Sequence, residues 1–192
     1  MKTKNNLANF LFEATTLKRL KRTGWQILGG NEESIAEHSY IVAIVSYILA
    51  KKLGADIKKV LLMALFHDFT ESRIGDIYKL SDLYVKADVM KAAKDAFNFL
   101  PESIELIRIT KEYEEEKTPE AKIVHDADTL ALCLELKQLM EKGDIHAREW
   151  FEGNKKRFFL DISEDLWHEI KNSDSQDWWK RERGKIHKSF HK

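Results

Sequence analysis

The residues best suited to chemistry lie in one short stretch that contains His67, Asp68, Glu71 and Asp76. His67 follows Met63 at i+4, so it continues the inward-facing stripe of its own helix. Glu71 is four residues after His67 and three after Asp68, which places another carboxylate on the same side one turn later. Such groups can bind a metal ion or move a proton. An isolated His-Asp pair is more often a core histidine beside a helix end, so other parts of the chain must decide between the two interpretations.

Two further polar residues interrupt apolar helical stripes. His38 precedes Ile41 and Val45 at i+3 and i+7, so it begins the inward face of its helix. The backbone N–H groups of a first helical turn disfavour an imidazolium, and we therefore expect a neutral ring, which is the form that binds metal. Taken alone, His38 would more often be a core or capping histidine. Asp128 shares a face with Val124, where a carboxylate is costly unless it is paired or metal-bound.

Capping signals and apolar spacing predict the helices that position these groups. Ser34 and Glu37 form a capping box that starts the His38 helix, and Gly54 ends it. Thr118 and Pro119 start the long helix of Asp128. The other expected helices are residues 7 to about 20, Asp56 through His67, 86–100, one with Pro101 in its first turn, a short one with Trp150, and a last one that begins at Ser163, Glu164 and Asp165.

Composition indicates the fold class and the organisation of the chain. With eight Gly, two Pro and no convincing alternating strand, the 192 residues are predicted to be all-α. This length suits one domain with a substantial core. We expect a single domain over residues 1–192, a helical bundle with a signature region at about 34–135 and a C-terminal helical extension at about 144–192. Its tail is rich in aromatic residues (Trp167, Trp178, Trp179 and Phe190), which predicts packing against the core or another subunit.

Charge and cysteine content exclude several classes of function. Lys plus Arg and Asp plus Glu are 32 each, so no global field attracts nucleic acid or an anionic membrane, and neither partner is expected. The apolar run Tyr40–Ala50 is too short to span a bilayer, and the start of the chain does not resemble a signal peptide. The one cysteine, Cys133, suits a reducing compartment. We therefore expect a cytoplasmic protein.

The polar groups on these stripes form a set with a defined chemistry. Two imidazoles and two carboxylates suit a divalent ion such as Mn, Fe, Co, Ni or Zn, and suit Mg or Ca less well. Such a site can polarise a phosphoryl oxygen and lower the pKa of bound water. With Glu71 beside it, metal-assisted hydrolysis is the expected chemistry.

The order His38, then His67 with Asp68, then Asp128 resembles the His…His-Asp…Asp signature of the HD-domain metal-dependent phosphohydrolases. The flanking residues resemble the small 5′-deoxynucleotidase branch of that family, over roughly Leu7 to Leu136, and they are Ser34–Ser39, Glu71 with Gly75 and Asp76, Glu112–Glu114, Thr118, Glu120 and Ala121. The resemblance implies an HD-type helical bundle and a homodimer.

The resemblance also implies roles for individual residues. His38, His67, Asp68 and Asp128 would hold one divalent metal ion, with Mn or Co most typical of the branch and Zn, Fe, Ni or Mg as the other candidates. Glu71 would hold and deprotonate the attacking water. In a separate role, Asp76 would orient the water or the substrate.

The segment Arg22-Thr23-Gly24-Trp25 is similar to a substrate motif of the family, in which Trp25 would pack on the nucleoside and a basic residue would hold the phosphate. Some members have arginine directly before the tryptophan, where this chain has Gly24. Arg22 or Arg19 could take that place, or the arginine could be missing. Lys79 is a further candidate for contact with an anion.

The expected function is hydrolysis of deoxynucleoside 5′-monophosphates, small-molecule nucleotide substrates. One alternative keeps the metal and changes the substrate to a nucleoside polyphosphate, a cyclic nucleotide or a non-nucleotide phosphate ester. Another is a non-catalytic helical module stabilised by metal. The presence of Glu71 and Asp76 argues against that module, because a purely structural metal does not need them.

Overall fold

A computed structural model describes residues 7–189, with the backbone alone for residue 82 and residues 187–189. Its α-helices, in chain order, are α1 (Leu7–Thr16), α2 (Gly24–Leu28), α3 (Ile35–Leu53), α4 (Ile57–Phe66), α5 (Glu71–Ile74), α6 (Val89–Phe97), α7 (Ser103–Glu115), α8 (Pro119–Glu141), α9 (Ile145–Asn154), α10 (Asp161–Asn172) and α11 (Asp177–Ser189). Short 3₁₀ turns cover Ser81–Leu83 and Lys155–Arg157. Over residues 7–189 the extended pairing is limited to one isolated bridge, Lys21 with Ser34, so the all-α prediction is confirmed.

Helix α8 is the centre of the fold. It packs against α3, α4, α7, α9 and α10. Ile123, Ala127 and Leu130 are buried as well as Val124, so the helix is enclosed on more than the one face that carries Asp128. A side chain on α8 is therefore held in place from several directions.

The predicted caps of α3 and α4 are confirmed. The Ser34 Oγ accepts the Glu37 backbone N–H at 3.2 Å, and the Glu37 carboxylate accepts the Ser34 N–H at 2.7 Å. Gly54 ends α3 with a φ of 69°, a left-handed conformation that costs glycine little. The Asp56 side chain accepts the Lys59 N–H and starts α4. These caps fix the ends of the two helices that bring His38 and His67 to α8.

The turn after α4 is anchored by an aromatic cluster. Phe69 is buried, and its ring lies 5.0 Å from that of Phe10 and 5.2 Å from that of Phe97, centroid to centroid. These contacts tie the turn to α1 and α6. The chain on either side of Phe69 carries His67, Asp68 and Glu71, so this apolar cluster positions the polar ones.

Four of the predicted helices have different boundaries. The helix expected at about 86–100 is shorter, Val89–Phe97, and it starts where the Asp88 side chain accepts the Lys91 N–H. The first helix ends at Thr16 rather than near Leu20, because the next residues turn so that the Leu17 and Leu20 carbonyls accept the first N–H groups of α3. Pro101 precedes α7, which begins at Ser103. The segment from Ser163 to Asp165 does not start the last helix. Helix α10 begins at Asp161, since the buried Asp126 carboxylate accepts the two backbone N–H groups just before it, and α11 follows.

The tryptophans of the tail lie in different environments. Trp167 is buried and stacks on Phe151 at 5.0 Å, as packing against the core requires. Trp178 is 69% exposed, so it does not pack into the core. Phe190 lies outside the described residues. Among residues 7–189, none of the helices is both long enough and apolar enough to cross a membrane.

Candidate functional site

One cavity of about 610 Å³ brings together most of the residues singled out in the sequence. Those that line it are Arg22, Trp25, Asp68, Glu71, Asp76, Lys79 and Asp128. His38 and His67 are buried, with ring nitrogens close to the Asp128 and Asp68 carboxylates. Arg19 is exposed and is not among the lining residues. The structure therefore separates Arg19 from the site and gathers the others.

Three of the predicted ligands converge. One ring nitrogen each from His38 and His67 and one oxygen from Asp128 lie within 4.8 Å of one another. Asp68 is outside this mutually close set, but its Oδ2 is 3.1 Å from His67 Nε2. The groups come from α3, the end of α4 and α8, so a divalent ion bound among them would join three elements of the core.

The orientation of the His67 ring suits metal binding. Its Nδ1 lies 2.9 Å from the Ala64 carbonyl oxygen, which can only accept, so Nδ1 carries the proton. Removal of one proton from the ring thus leaves the lone pair on Nε2, a buried atom that faces Asp68 Oδ2 at 3.1 Å. Burial opposes the imidazolium, but the Asp68 carboxylate raises the pKa of His67 overall.

His38 and Asp128 form the closest contact of the cluster, with 2.9 Å between Nε2 and Oδ1. Burial lowers the pKa of His38, and the Arg22 guanidinium lowers it further, which favours the neutral ring. Burial alone would favour a neutral Asp128, yet the His38 hydrogen bond and the Arg22 charge hold the pKa of this carboxyl well below its usual range. A neutral imidazole beside an ionised carboxylate is the protonation state that metal ligands require.

Glu71 is the least compensated charge in the cavity. Its Oε2 is buried without a hydrogen-bond partner in the described structure. Burial raises the pKa of Glu71 to about 10, and the Asp68 and Asp76 carboxylates add to the shift. Asp76 itself is tied to the segment just before α2, where its Oδ2 accepts the Thr23 N–H at 2.5 Å. A strongly shifted carboxyl aimed into a cleft is typical of a functional group.

Arg22 lies among the carboxylates. Its guanidinium nitrogens are 3.5 Å from Asp68 Oδ2, 3.8 Å from Asp128 Oδ1 and 3.8 Å from Glu33 Oε2. The side chain is 18% exposed. Arg22 thus links three acidic groups and faces the cavity between Asp68 and Asp128.

Glu33 is a buried member of the site that the sequence did not reveal. Its Oε2 accepts the indole N–H of Trp25 at 3.0 Å, and its Oε1 is 3.8 Å from His38 Nδ1, longer than a hydrogen bond. Burial raises the pKa of Glu33 to about 7. In the sequence, Glu33 stands in a polar loop just before the Ser34 cap, and no periodic pattern marks it as buried.

Two other walls of the cavity were also missed. The rings of Tyr113 and His125 stack at 3.9 Å and close one side. On another side the cavity is lined by Trp150, Asn154 and Arg157, from α9 and the turn after it. Arg157 belongs to a Lys-Lys-Arg run that reads as a solvated basic segment, so only the tertiary structure places it at the site.

The donor set fits a divalent cation. Carboxylates outnumber the arginines around the cavity, and Glu71 Oε2 is buried without a hydrogen-bond partner among the described residues. The close ligand atoms are a mixture of nitrogen and oxygen, and His67 Nε2 faces the Asp68 carboxylate at 3.1 Å. A positive ion would compensate this charge and satisfy these atoms. The fit supports a divalent metal centre without indicating which element it holds.

A family model described as "HD domain" matches residues 14–171. The chain belongs to the HD-domain family. The match reaches into α10, so it includes Arg157 and much of the segment predicted as a C-terminal extension. A Dictyostelium discoideum protein named 5′-deoxynucleotidase HDDC2 is 30% identical over 173 residues, which cover 80% of this chain and 90% of that protein.

Solved structures of similar proteins share this HD-domain fold. A Pyrococcus horikoshii protein is 34% identical with a TM-score of 0.70, covering 85% of this chain and 97% of its own. A conserved hypothetical protein of Pyrococcus furiosus is 29% identical with a TM-score of 0.73. The match covers 86% of this chain and 99% of the Pyrococcus furiosus chain. Both proteins therefore share the overall fold of this chain.

The buried Glu71 charge gives a prediction for this HD-domain protein in EDTA. Since its pKa is about 10 in the fold and 4.5 is the ordinary value, protonated Glu71 has its full stabilising effect below pH 4.5, and that effect is lost as the pH rises towards 10. Glu71→Gln cannot ionise, so its free energy of unfolding should exceed that of the wild type by about 1 kcal/mol at pH 5 and by about 5 kcal/mol at pH 8. Urea unfolding measures this difference.

The matched control is Glu149→Gln, which removes an exposed carboxylate from α9 and should leave the unfolding free energy unchanged within about 0.5 kcal/mol. Equal unfolding free energies for Glu71→Gln and the wild type at both pH values would show that Glu71 carries no such penalty.

Proposed function

We propose that this protein is a metal-dependent phosphohydrolase that converts deoxynucleoside 5′-monophosphates to deoxynucleosides and phosphate. One observation carries the proposal: the ligand atoms of His38, His67 and Asp128 lie within 4.8 Å of one another, and Asp128 lines the same cavity as the unpartnered carboxyl of Glu71. The cavity volume is within the range of pockets that hold small molecules. The Dictyostelium relative is named for this activity and aligns over most of both chains, which supports the same substrate class here.

The proposed ligands of one divalent ion are His38, His67, Asp68 and Asp128. We propose Mn or Co as the ion, as the resemblance to the 5′-deoxynucleotidase branch implies, with Zn, Fe, Ni or Mg as the alternatives. A mixed imidazole and carboxylate set suits Mg less well than the transition metals. When bound, the ion would polarise a phosphoryl oxygen and lower the pKa of bound water and of Glu71. Asp68 would be the fourth ligand, since its Oδ2 lies 3.1 Å from His67 Nε2.

The remaining residues bind, orient and transfer protons. Glu71, through its buried Oε2, takes the proton from the attacking water as a general base. Asp76, held by the Thr23 N–H, orients the water or the substrate. Arg22 faces the phosphate from between Asp68 and Asp128, and Trp25 and Lys79 contribute the nucleoside and rim contacts. Arg19 is left out of this assignment because it lies away from the cavity.

We also propose a homodimer formed through α3. Its exposed face carries Tyr40, Ile44 and Tyr47, which are each between 42% and 65% exposed and continue the 3-4 spacing of a helix-pairing seam. Glu37 and Lys51, also exposed, extend the same stripe at its two ends. An antiparallel pair of α3 helices centred on Ile44 would set Glu37 against Lys51 of the second copy, so the face is complementary to itself.

Replacing Ile44 with Asp should disrupt this dimer, because a charge at the centre of an apolar seam is costly to bury. Analytical ultracentrifugation should show a dimer for the wild type and a monomer for Ile44→Asp. Ile104→Asp, at an 83% exposed position on α7, is the control and should remain dimeric. A wild-type monomer, or a dimer that tolerates Ile44→Asp, would rule out this interface.

The activity is tested by phosphate release from a panel of substrates with Mn or Co. Deoxynucleoside 5′-monophosphates should be hydrolysed fastest, and Glu71→Ala should lower kcat about 10²- to 10⁴-fold while bound metal is retained, since it removes only the base. Glu149→Ala is the control with unchanged activity.

Two outcomes would redirect the assignment. Faster release from a nucleoside polyphosphate, a cyclic nucleotide or a non-nucleotide ester would favour the alternative substrate class. Metal-dependent thermal stability with no release from any substrate would favour the non-catalytic module. Turnover by Glu71→Ala at the wild-type rate would show that the role of Glu71 is wrong.

A further inference from the structure

We propose that Arg157 is a phosphate-binding residue of this site, held in place by Asn154 and by the attachment of the following segment to α8. The proposal rests on the proposed phosphohydrolase function and goes beyond it in naming the group that recognises the anion. It also assigns a role to a residue that lies outside the signature region near residues 34–135.

Arg157 and Arg22 approach one carboxylate from its two oxygens. Arg157 Nη2 is 3.9 Å from Asp128 Oδ2, and Arg22 Nη2 is 3.8 Å from Asp128 Oδ1. Both arginines line the cavity. Two guanidinium groups therefore flank the carboxylate that is proposed to hold the metal, where a substrate phosphate would have to lie.

The two arginines differ in their exposure and in the number of carboxylates that surround each guanidinium. Arg22 is 18% exposed and lies within 3.8 Å of Glu33, Asp68 and Asp128. Arg157 is 46% exposed, and its ion pair to Asp128 is a long one. A guanidinium has five N–H donors, so Arg157 keeps donors available for an anion that enters the cavity.

Asn154 orients the Arg157 guanidinium. The Asn154 side chain is buried, and its Nδ2 donates to the Trp150 carbonyl at 2.8 Å. Its Oδ1 therefore faces Arg157 and accepts from Nη1 at 2.9 Å. This contact restricts the rotation of a long side chain, which lowers the entropy lost when it binds a ligand.

The chain after Arg157 is attached to the helix that carries Asp128. The backbone N–H groups of Phe159 and Leu160 donate to the two oxygens of Asp126 at 2.8 and 3.0 Å. Asp126 is buried and lies two residues before Asp128 on α8. The backbone that follows Arg157 is thus held against α8 by two short, partly buried hydrogen bonds.

A phosphomonoester is the anion that this arrangement suits. A planar guanidinium can donate two parallel N–H bonds to two phosphate oxygens, which lysine cannot do. When a cation compensates Asp128, the attraction of Arg157 to that carboxylate weakens, and its donors become free to face the phosphate. Arg157 and Arg22 would then hold the phosphate from opposite sides.

The test compares Arg157→Gln, Arg157→Lys and the control Lys156→Gln, whose exposed side chain does not line the cavity. Arg157→Gln should raise both the KM for a deoxynucleoside monophosphate and the inhibition constant of inorganic phosphate about 10- to 100-fold, with a smaller change in kcat. Arg157→Lys should recover part of this loss. Lys156→Gln should keep the KM and the phosphate inhibition constant of the wild type. The thermal midpoints of all three variants should equal that of the wild type.

Direct titration of the Mn-loaded protein with inorganic phosphate separates this inference from the proposed function. The wild type could fail to hydrolyse any nucleotide while Arg157→Gln binds phosphate more weakly than the wild type does. That result would retain the anion site and reject the proposed function. Equal phosphate affinity in Arg157→Gln and the wild type would overturn the inference. If Arg157→Gln does not fold, Arg157→Lys decides: it should bind phosphate several-fold more weakly, and unchanged affinity would overturn the inference.

Discussion

The ionised carboxylate of Asp128, inside a helical core, is the constraint on which the rest of the site depends. Such a group is stable only with positive charge or hydrogen-bond donors around it. The structure supplies them from three directions, with His38 on α3, Arg22 before α2 and Arg157 after α9. Of these groups, the His38 hydrogen bond and the Arg22 charge hold the pKa of Asp128 well below its usual range.

Near Glu71, the cavity contains several carboxyl groups and few positive charges to compensate them. Glu71, Asp68 and Asp76 place three carboxyl groups near one another, and burial together with the other two carboxylates makes ionisation of Glu71 costly. The aromatic cluster of Phe10, Phe69 and Phe97 packs the turn that carries these groups against α1 and α6. Apolar packing thus keeps these three carboxyl groups close together, although ionising Glu71 among them is unfavourable. Such local conflict is common at functional sites.

Much of this arrangement could be predicted from the sequence because it is local. The Ser34 cap, the Asp56 cap and the Thr118-Pro119 start depend on neighbouring residues, and the structure confirms all three. The positions of His38 and Asp128 on inward stripes follow from helical periodicity. The HD-type fold followed from a resemblance, which the family match bears out.

The parts that escaped prediction depend on long-range contacts. Glu33 and Arg157 lie in polar or basic segments without periodicity, and only packing against Trp25 and α8 reveals their roles. Arg19 and Arg22 are equivalent by sequence, yet the turn after α1 leaves the first exposed and directs the second into the cavity. The start of α10 is likewise set by Asp126, more than thirty residues earlier in the chain.

The most direct test of the central claim, that these groups form one divalent metal site, is the metal content of the protein. After equilibration with Mn and removal of free ion, elemental analysis should find about one Mn per chain in the wild type and in the control His168→Ala, which alters an exposed histidine of α10. His67→Ala, folded by circular dichroism, should retain almost none. Full Mn occupancy in His67→Ala, or none in the wild type, would contradict the account.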